Sequence, residues 1–257
     1  MVDNGLVSII MPSYNTAEYI GKAIESVQNQ TYENWELIII DDCSSDNTDE
    51  IMQQYIRDSR VYYLKNEKNS GAAVSRNKAI KLAKGKWIAF LDSDDLWNPE
   101  KLEKQINFMK RNQYDFSYTK YREIDENGND LRIEVSGPFH ITKMGMYNYC
   151  WPGCLTVMYN VDKVGIIQIA DIKKNNDYAM WLEVSKKADC YLINETLAMY
   201  RKRVGSISNH SYLKLIKWHY KLFKEAERKN SAMSFILTLN NLIYGLIKKL
   251  KYKKKLK

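Results

Sequence analysis

Cysteine and histidine are scarce in this sequence, and they are not spaced as they are in metal or redox sites. None of the four cysteines forms a C-x-x-C pair, and the three histidines complete no zinc-ligand pattern. This excludes a zinc finger and a thioredoxin-type redox motif. We expect reduced thiols in a cytosolic protein at all four positions: Cys43, Cys150, Cys154 and Cys190.

Long hydrophobic runs and phosphate-binding glycine motifs are also missing. No run of about 18 apolar residues occurs, so the sequence predicts no membrane-spanning helix. Residues 1–4 lack the basic segment of a secretory signal, and we therefore expect a cytoplasmic protein. The motifs G-x-x-x-x-G-K-[ST] and G-x-G-x-x-G are absent, which excludes an ATPase phosphate loop and a dehydrogenase-type dinucleotide fold.

Excess positive charge is confined to the C-terminal end. The net charge is +8, but seven lysines follow residue 247 and no acidic residue follows Glu227. Subtracting these seven charges from eight leaves +1 for the rest of the chain. A nearly neutral body does not favour a nucleic-acid-binding face, so we expect no nucleic-acid partner.

The first half of the chain alternates predicted strands and helices. Apolar runs typical of buried parallel strands lie at residues 7–11, 35–40, 61–64 and 87–91. Predicted helices lie between them, at residues 17–29, 46–56 and 72–83. This order predicts a doubly wound α/β sheet, whose ligands bind beyond the carboxyl ends of the strands. Polar clusters follow all four predicted strands and outline such a site.

The second half is less regular. The sequence predicts helices at residues 99–111, 177–187 and 212–229. It predicts strands at residues 116–124, 131–135, 154–159, 191–193 and 197–201.

Asp92 and Asp94 directly follow the fourth predicted strand, with one residue between them. Two carboxylates so placed can bind one cation from the same side, and their hard oxygen atoms suit Mg²⁺ or Mn²⁺. The cation would neutralise charge on a diphosphate leaving group. The alternative is that the pair belongs to a solvated loop or a helix cap. Tyr14 and Asp42 are candidates for contact with a nucleoside. The alternative for Asp42 is that it caps a turn together with Asp41.

Four segments of the chain resemble family 2 glycosyltransferases. They are VSIIMPSYN (residues 7–15), LIIIDDCSSDNT (residues 37–48), NSGAAVSRN (residues 69–77) and GKWIAFLDSDDLW (residues 85–97). The resemblance is strong over about residues 5–110 and fainter to about residue 210. It implies the GT-A fold, a Rossmann-like, mostly parallel central sheet flanked by helices. We expect a catalytic domain at residues 1–210, with a nucleotide-sugar half (1–98) and an acceptor half (99–210), followed by C-terminal helices at residues 211–257.

The resemblance also implies roles for the donor-site residues. Those matching the nucleotide-contacting positions are Pro12, Tyr14, Asn15, Asp42, Arg76 and Asp92. Asp94 is the stronger metal-ligand candidate, Asp92 is the second and also faces the ribose, and Asp95 matches a structural position. The implied cofactor is Mn²⁺ or Mg²⁺, and the implied donor is a nucleotide-diphosphate sugar, UDP-linked.

An inverting transfer also needs a base that deprotonates the acceptor hydroxyl. In the resembling family this base is an aspartate at the start of a helix, and Asp177 is the best match. The glutamate that usually precedes it is Asn176 here. The alternative for Asp177 is a helix N-cap, and the fallback bases are Asp171 and Glu183. The Q-x-x-R-W motif of processive members is absent, which favours addition of a single sugar.

Four further residues are candidates for acceptor or diphosphate binding. Trp151 either stacks on an acceptor sugar or packs in the core. Arg201 and Arg203 either approach the diphosphate when a loop closes or form surface ion pairs. His210 either contacts the diphosphate or metal or is an ordinary polar residue.

Apolar residues between Phe235 and Leu250 recur at helical spacing, with Lys248, Lys249 and Lys251 on the polar side and more lysines beyond. This predicts an amphipathic helix on an anionic membrane surface, at the cytoplasmic face of the cell membrane. The alternative is a helix packed on the domain. The resemblance implies a polyprenyl-diphosphate-linked acceptor in O-antigen or capsule biosynthesis. Two other functions remain open: a sugar-nucleotide nucleotidyltransferase and a non-catalytic, degenerate transferase module.

Overall fold

The computed structural model describes residues 4–170, 172, 174–203 and 212–256, without the side chains of residues 212 and 213. The strands are β1 (Val7–Ser13), β2 (Trp35–Asp41), β3 (Val61–Lys65), β4 (Trp87–Phe90), β5 (Leu96–Trp97), β6 (Phe116–Ile124), β7 (Asp130–Val135), β8 (His140–Ile141), β9 (Met158–Asn160), β10 (Cys190–Arg201) and β11 (Lys253–Lys255). The α-helices are α1 (Ala17–Gln28), α2 (Thr48–Tyr55), α3 (Ala72–Leu82), α4 (Lys101–Asn112), α5 (Lys143–Asn148), α6 (Val161–Val164), α7 (Asn176–Ser185), α8 (Tyr212–Lys221) and α9 (Ser231–Ile247). A 3₁₀ turn spans Cys154–Thr156, and π-helical turns span Leu222–Ala226 and Lys248–Tyr252.

Four parallel strands, in the order β3-β2-β1-β4, form the first half of one mixed sheet. Their register places Ile10 opposite both Ile38 and Phe90. β1 and β2 are almost completely buried, because helices cover both faces of the sheet. Nearly continuous apolar sequences suit such strands. The predicted parallel α/β sheet is confirmed.

The second half of the sheet is largely antiparallel. β9 lies between β4 and β6 and is antiparallel to both, and β7 and β11 extend the sheet to its edge. β10 runs parallel to β6 and also pairs with β5 and β8. The two strands predicted at residues 191–193 and 197–201 are one strand, whose register shifts between Ile193 and Ala198. The strand predicted at residues 154–159 begins only at Met158, after the 3₁₀ turn.

Alternate residues of the buried strands face two separate cores. Ile10, Ile38 and Phe90 belong to one core, where the ring of Phe90 meets the ring of Trp181 in α7 edge to face at 5.1 Å. Their neighbours Ile9 and Leu37 belong to the other core, with α1 and α4. Each large side chain so buried stabilises the fold by about 1.5–3 kcal/mol. The two cores fix the strand ends from which the polar loops project.

Helix α9 packs on the domain with its polar side. Ser234, Thr238 and Asn241 are buried, and Asn241 Nδ2 donates a hydrogen bond to Tyr178 Oη at 2.9 Å. Of the apolar side chains, Leu237 is buried with this polar side, whereas most others of this helix and the following turn are exposed. This set, here called the outer apolar face, comprises Met233, Phe235, Ile236, Leu239, Ile243, Leu246, Ile247 and Leu250. In the part of the chain that the structure describes, no helix is long and apolar enough to span a membrane.

The lysine-rich end of the chain is an edge strand. Lys253–Lys255 (β11) pairs antiparallel with β7, and Lys253 Nζ donates to Glu123 Oε1 at 2.6 Å. The sequence predicts a basic tail after the amphipathic helix, whereas the structure incorporates these lysines into the sheet. Lysines on an edge strand also discourage pairing with another sheet.

Candidate functional site

Hydrogen bonds join the loops that follow β1, β2 and β4. The backbone N–H of Asn15 donates to Ser44 Oγ at 2.8 Å, and Asn15 Oδ1 accepts from the backbone N–H of Ser45 at 2.9 Å. Thr16 Oγ1 donates to Ser93 Oγ at 3.0 Å. Asn15 has a left-handed backbone with φ of 48°, which asparagine tolerates better than most residues. The polar clusters at the carboxyl ends of these strands therefore form one surface, as the sequence predicts.

The adjacent carboxylates of Asp41 and Asp42 have different partners. Asp41 accepts hydrogen bonds from the backbone N–H and the hydroxyl of Ser44, so it caps the turn after β2. Asp42 accepts from Asn66 Nδ2 at 2.9 Å and from the backbone N–H groups of residues 70 and 71 at 2.9 and 2.6 Å. Asp42 therefore orders the loop that leads into α3. Its contact with a base or ribose stays a prediction.

Tyr14 projects from the end of β1 with 48% of its surface exposed. Pro12, two residues before it, lies within β1 and is half-buried. An exposed aromatic ring at the rim of a polar surface is suited to stacking on a flat heterocycle. The structure thus places Tyr14 where a nucleobase has access to it.

Arg76 of α3 joins the loop after β4 to the start of α7. Its Nη2 lies 2.5 Å from Asp92 Oδ1, and its Nη1 donates to Asn176 Oδ1 at 2.9 Å. Arg76 is buried, and its Nε has no hydrogen-bond partner among the described residues. A buried guanidinium with a free donor suits an anionic ligand. Asn176, which replaces the family's usual glutamate, thus reaches the candidate donor site through Arg76.

Asp94 faces a second arginine. Arg203 Nε lies 2.7 Å from Asp94 Oδ2, and its guanidinium carbon lies 5.2 Å from the ring centroid of Tyr19. The Nε–H makes no directed hydrogen bond within the described residues, so the contact is an ion pair of loose geometry. Burial and the charge of Asp92 raise the pKa of Asp94, against the opposing charge of Arg203.

The two carboxylates fit a divalent cation. Asp92 and Asp94 offer hard oxygen atoms, and both side chains retain some exposure. No group of three or more acidic, histidine or cysteine side chains gathers as a metal site within the ranges described above. Mg²⁺ is commonly bound by one or two carboxylates and completed by substrate phosphates and water, so two protein ligands suffice.

Arg201 anchors the loop after β4, whereas the sequence left open diphosphate binding or a surface ion pair. Its Nε donates to the carbonyl of Asp94 at 2.8 Å, and its Nη1 donates to the carbonyls of Asp125 and Glu126 at 3.2 and 2.9 Å. Its backbone N–H donates to Asp95 Oδ1 at 2.8 Å. The side chain is buried, so its charge is directed into the protein. Burial and the neighbouring carboxylates raise the pKa of Asp95 well above its usual value.

Asp177 is the second residue of α7 and is partly exposed. The cap position of the helix is Asn175, so Asp177 is not the N-cap; its Oδ1 accepts from the backbone N–H of Tyr178 at 2.8 Å. Burial raises the pKa of Asp177, while the positive charge of Arg76 lowers it. These opposing effects give a carboxylate of increased basicity beside the Asp92 loop.

Sequence reasoning missed Lys248, which it assigns to the surface helix. Lys248 Nζ donates to the carbonyl of Trp151 at 2.7 Å, and burial lowers the pKa of Lys248 to about 8. The charges of Cys150 and Asp177 oppose that effect. A lysine in a basic, amphipathic segment carries no sequence signal that distinguishes it from its exposed neighbours.

Trp151 is core-packed, and this is the alternative that the structure supports. Only 5% of its surface is exposed, and its indole ring makes edge contacts with the rings of Tyr149, Tyr244 and Tyr252. Stacking on an acceptor sugar would require this cluster to open. Its indole N–H donates to the carbonyl of Gly145 at 3.1 Å.

Three other candidates remain, and the structure describes one of them. His210 and Asp171 lie outside the described residues. Glu183 of α7 forms an ion pair with Lys186, the residue that follows this helix, and its side chain is well exposed. Of the candidate bases that the structure describes, Asp177 is the one with Arg76 and Asp92 as electrostatic neighbours.

Comparison with known proteins agrees with this geometry. The sequence model described as Glycosyl transferase family 2 matches residues 8–155. The chain is 43% identical over 225 residues to TuaG of Bacillus subtilis (strain 168), which is named a putative teichuronic acid biosynthesis glycosyltransferase. The match covers 87% of this chain and 89% of that protein. It is 41% identical over 216 residues to WfgD of Escherichia coli, named a UDP-Glc:alpha-D-GlcNAc-diphosphoundecaprenol beta-1,3-glucosyltransferase, covering 83% and 84% of the two chains.

Solved structures share the fold at low sequence identity. S. aureus TarS in complex with UDP-GlcNAc superposes with a TM-score of 0.73 at 22% identity, covering 92% of this chain and 71% of that one. A mannosyltransferase of Pyrobaculum calidifontis in complex with GDP-Man and Mn²⁺ gives a TM-score of 0.64 at 13% identity, covering 94% and 75%. The GT-A fold predicted from the sequence is thereby confirmed.

Proposed function

Because this chain belongs to glycosyltransferase family 2 and is a glycosyltransferase, we propose that it moves a single sugar, with inversion, from a UDP-sugar to a hydroxyl of a lipid-linked glycan. The observation that carries the proposal is the bridge through Arg76. Its guanidinium contacts Asp92 of the candidate donor loop and Asn176, the neighbour of the candidate base Asp177. Groups for leaving-group stabilisation and for proton removal are therefore adjacent.

The donor is proposed to lie along the carboxyl edge of β1, β2 and β4. Tyr14 stacks on the base, Asp42 and Asn15 support the nucleoside loop, and Arg76 faces the ribose or diphosphate. Arg76 Nε has no hydrogen-bond partner among the described residues, and its N–H is proposed to donate to an anionic group of the donor. UDP is the proposed nucleotide because WfgD is named for UDP-Glc and TarS was solved with UDP-GlcNAc.

A divalent cation, Mn²⁺ or Mg²⁺, is proposed to be held by Asp94 with Asp92. When bound, it supplies positive charge that stabilises the departing diphosphate. Arg203 neutralises Asp94 in the structure, and cation binding would release this arginine toward the diphosphate oxygens. One neighbour in the fold was solved in complex with GDP-Man and Mn²⁺.

Asp177 is proposed as the general base. Its carboxylate takes the proton of the acceptor hydroxyl as that oxygen bonds to the anomeric carbon. The bond between the anomeric carbon and the diphosphate oxygen breaks on the opposite face, and the nucleoside diphosphate leaves with the bonding electron pair. The configuration at the anomeric carbon is inverted. Burial raises the pKa of Asp177 and so increases its basicity, and the positive charge of Arg76 opposes this increase.

The acceptor is proposed to be a glycan on polyprenyl diphosphate, used in surface-polysaccharide synthesis such as O-antigen or capsule. WfgD is named for a diphosphoundecaprenol acceptor, and TuaG for a cell-surface polymer pathway. The outer apolar face of α9 and the adjacent lysines provide a surface for the cytoplasmic side of the membrane. The nucleotidyltransferase alternative is disfavoured because no glycine-rich basic loop follows β1.

Two substitutions test the catalytic assignments. Asp177→Asn should retain UDP–Mn²⁺ affinity and lose transfer by at least about 100-fold, since general-base catalysis typically contributes 10²–10⁴-fold. Asp94→Ala should lose metal-dependent UDP binding by calorimetry. Glu183→Gln, a change of another carboxylate in the same helix, is the matched control and should transfer normally. Near-normal transfer by Asp177→Asn would remove it as the base, and unchanged metal-dependent UDP binding by Asp94→Ala would remove Asp94 as the ligand.

Membrane contact is tested with a second pair of variants. Ile243→Asn/Leu250→Asn removes two members of the outer apolar face, which are 58% and 75% exposed. We expect this variant to lose most of its co-sedimentation with phosphatidylglycerol-containing vesicles. Ile56→Asn/Leu82→Asn alters exposed apolar residues just after α2 and at the last position of α3, and it should bind like wild type. Equal binding by all three proteins contradicts the membrane proposal.

A further inference from the structure

A cleft of about 430 Å³ lies at the edge of the sheet opposite β3, between β6, β7, β10 and the chain end. Six of its lining residues carry the argument: Lys120, Glu134, Phe139, Lys251, Tyr252 and Lys254. None of them belongs to the donor site, whose loops follow β1, β2 and β4.

The lysines of the cleft are incompletely neutralised. Lys120 Nζ lies 3.4 Å from Glu134 Oε1, and Thr196 Oγ1 donates to the other oxygen of that carboxylate at 2.6 Å. Lys254 pairs across the strands with Glu134 in register, yet neither Lys254 nor Lys251 has an acidic partner within the described chain. Three lysines and one glutamate leave a charge of +2 (3 − 1) around the opening. Such a concave, cationic surface attracts a small polyanion.

The cleft adjoins the outer apolar face along the chain. Lys251 directly follows Leu250, the most exposed member of that face, and Tyr252 closes the same turn. The ring of Phe139, 59% exposed, adds apolar surface at the opening. An anionic group carried on a hydrocarbon chain would therefore meet ammonium groups in the cleft and apolar side chains beside it.

From this juxtaposition we infer that the cleft binds the phosphate head group of a membrane lipid. The site orients the protein on the bilayer through one specific pocket rather than through diffuse positive charge. The phosphate belongs either to an anionic phospholipid or to the diphosphate of a prenyl carrier. The inference rests on the membrane contact in the proposed function and names the group that is recognised there.

The test compares two double variants of the full chain with the same loss of charge. Lys251→Gln/Lys254→Gln removes the two lysines in the cleft that have no acidic partner. Lys249→Gln/Lys255→Gln removes two exposed lysines next to them that do not line the cleft. Melting temperatures of both variants establish that each is folded.

Two probes distinguish the sources of phosphate. Phosphatidylcholine vesicles with and without phosphatidylglycerol report the phospholipid, and farnesyl diphosphate, titrated with a chelator present, reports the prenyl diphosphate. Since each lysine near an anionic surface contributes about a factor of five in affinity, the cleft variant should bind at least one probe about 30-fold more weakly. The matched variant should stay within about threefold of wild type. Loss for vesicles alone identifies a phospholipid, and loss for farnesyl diphosphate alone identifies the prenyl carrier.

Equal losses in both variants would show diffuse electrostatic binding and overturn the inference, as would no loss with either probe. Binding of UDP and Mn²⁺ by wild type tests the proposed function independently, because it uses the loops after β1, β2 and β4. Donor binding with no cleft effect therefore rejects the lipid-phosphate site alone, whereas a cleft effect without donor binding rejects the proposed function alone.

Discussion

Replacement of Arg201 by methionine separates two roles for this arginine. Methionine retains an unbranched apolar side chain but removes the guanidinium. Three hydrogen bonds to the carbonyls of Asp94, Asp125 and Glu126 are lost, at original lengths of 2.8, 3.2 and 2.9 Å. The buried carboxyl of Asp95 also loses the nearest positive charge. Arg201→Met should therefore destabilise the fold as well as the candidate donor loop.

The expected magnitude follows from the burial of these groups. Hydrogen bonds to a charged donor contribute about 1.5–3 kcal/mol each, which sets an upper bound of about 9 kcal/mol for three. Water can reach part of the freed carbonyl surface, and removal of one partner of a buried ionic contact costs about 3–5 kcal/mol. We expect the free energy of unfolding to fall by about 4 kcal/mol. Arg201→Lys should recover only part of this, because one ammonium does not reproduce the planar fork.

Urea unfolding followed by tryptophan fluorescence measures the stability, and calorimetry with UDP and Mn²⁺ measures the donor affinity. Arg203→Met is the matched control: the same substitution two residues away breaks one partly exposed ion pair, and should change stability by less than about 1 kcal/mol. The anchor role is refuted if Arg201→Met unfolds within about 1 kcal/mol of wild type while losing donor affinity. That result would restore Arg201 as a diphosphate ligand.

Two further predictions concern the pH dependence of stability and catalysis. Burial lowers the pKa of Lys101 from its usual 10.5 to about 7, so protonation of this lysine opposes folding. The stability of Lys101→Met relative to wild type should therefore rise by up to about 5 kcal/mol as the pH falls from about 10.5 to about 7, and stay level below that; denaturant unfolding at a series of pH values measures it. Asn176→Asp places a new negative charge next to Arg76 and Asp177, which should raise the pKa of Asp177. The acid limb of the kcat/KM profile should therefore move up by about one pH unit. An unshifted limb would contradict Asp177 as the titrating base.

The donor half of the fold was predictable because its pattern is local. Continuous apolar strands, with helices between them, define a parallel sheet, and a parallel sheet brings the ends of its strands to one edge. Asn15 therefore meets Ser44, and Thr16 meets Ser93, although each pair is far apart in sequence. The direction of each side chain was not predictable. Arg201 and Arg203 differ by two positions in one basic stretch, yet the first enters the interior and the second faces Asp94.

The C-terminal segment shows where periodicity stops being informative. Helical spacing predicts an apolar side for α9, but not whether that side faces the protein or its surroundings. The surface beneath the helix decides this. It presents polar atoms, including Tyr178 Oη, and so accepts Asn241, while the buried hydroxyl groups of Ser234 and Thr238 donate to carbonyls of their own segment. Packing on the domain therefore accounts for the polar side and for Leu237. Exposed apolar residues along the whole helix are not needed by that interface, and a surface of this kind typically marks an interaction site, which here adjoins a cationic cleft.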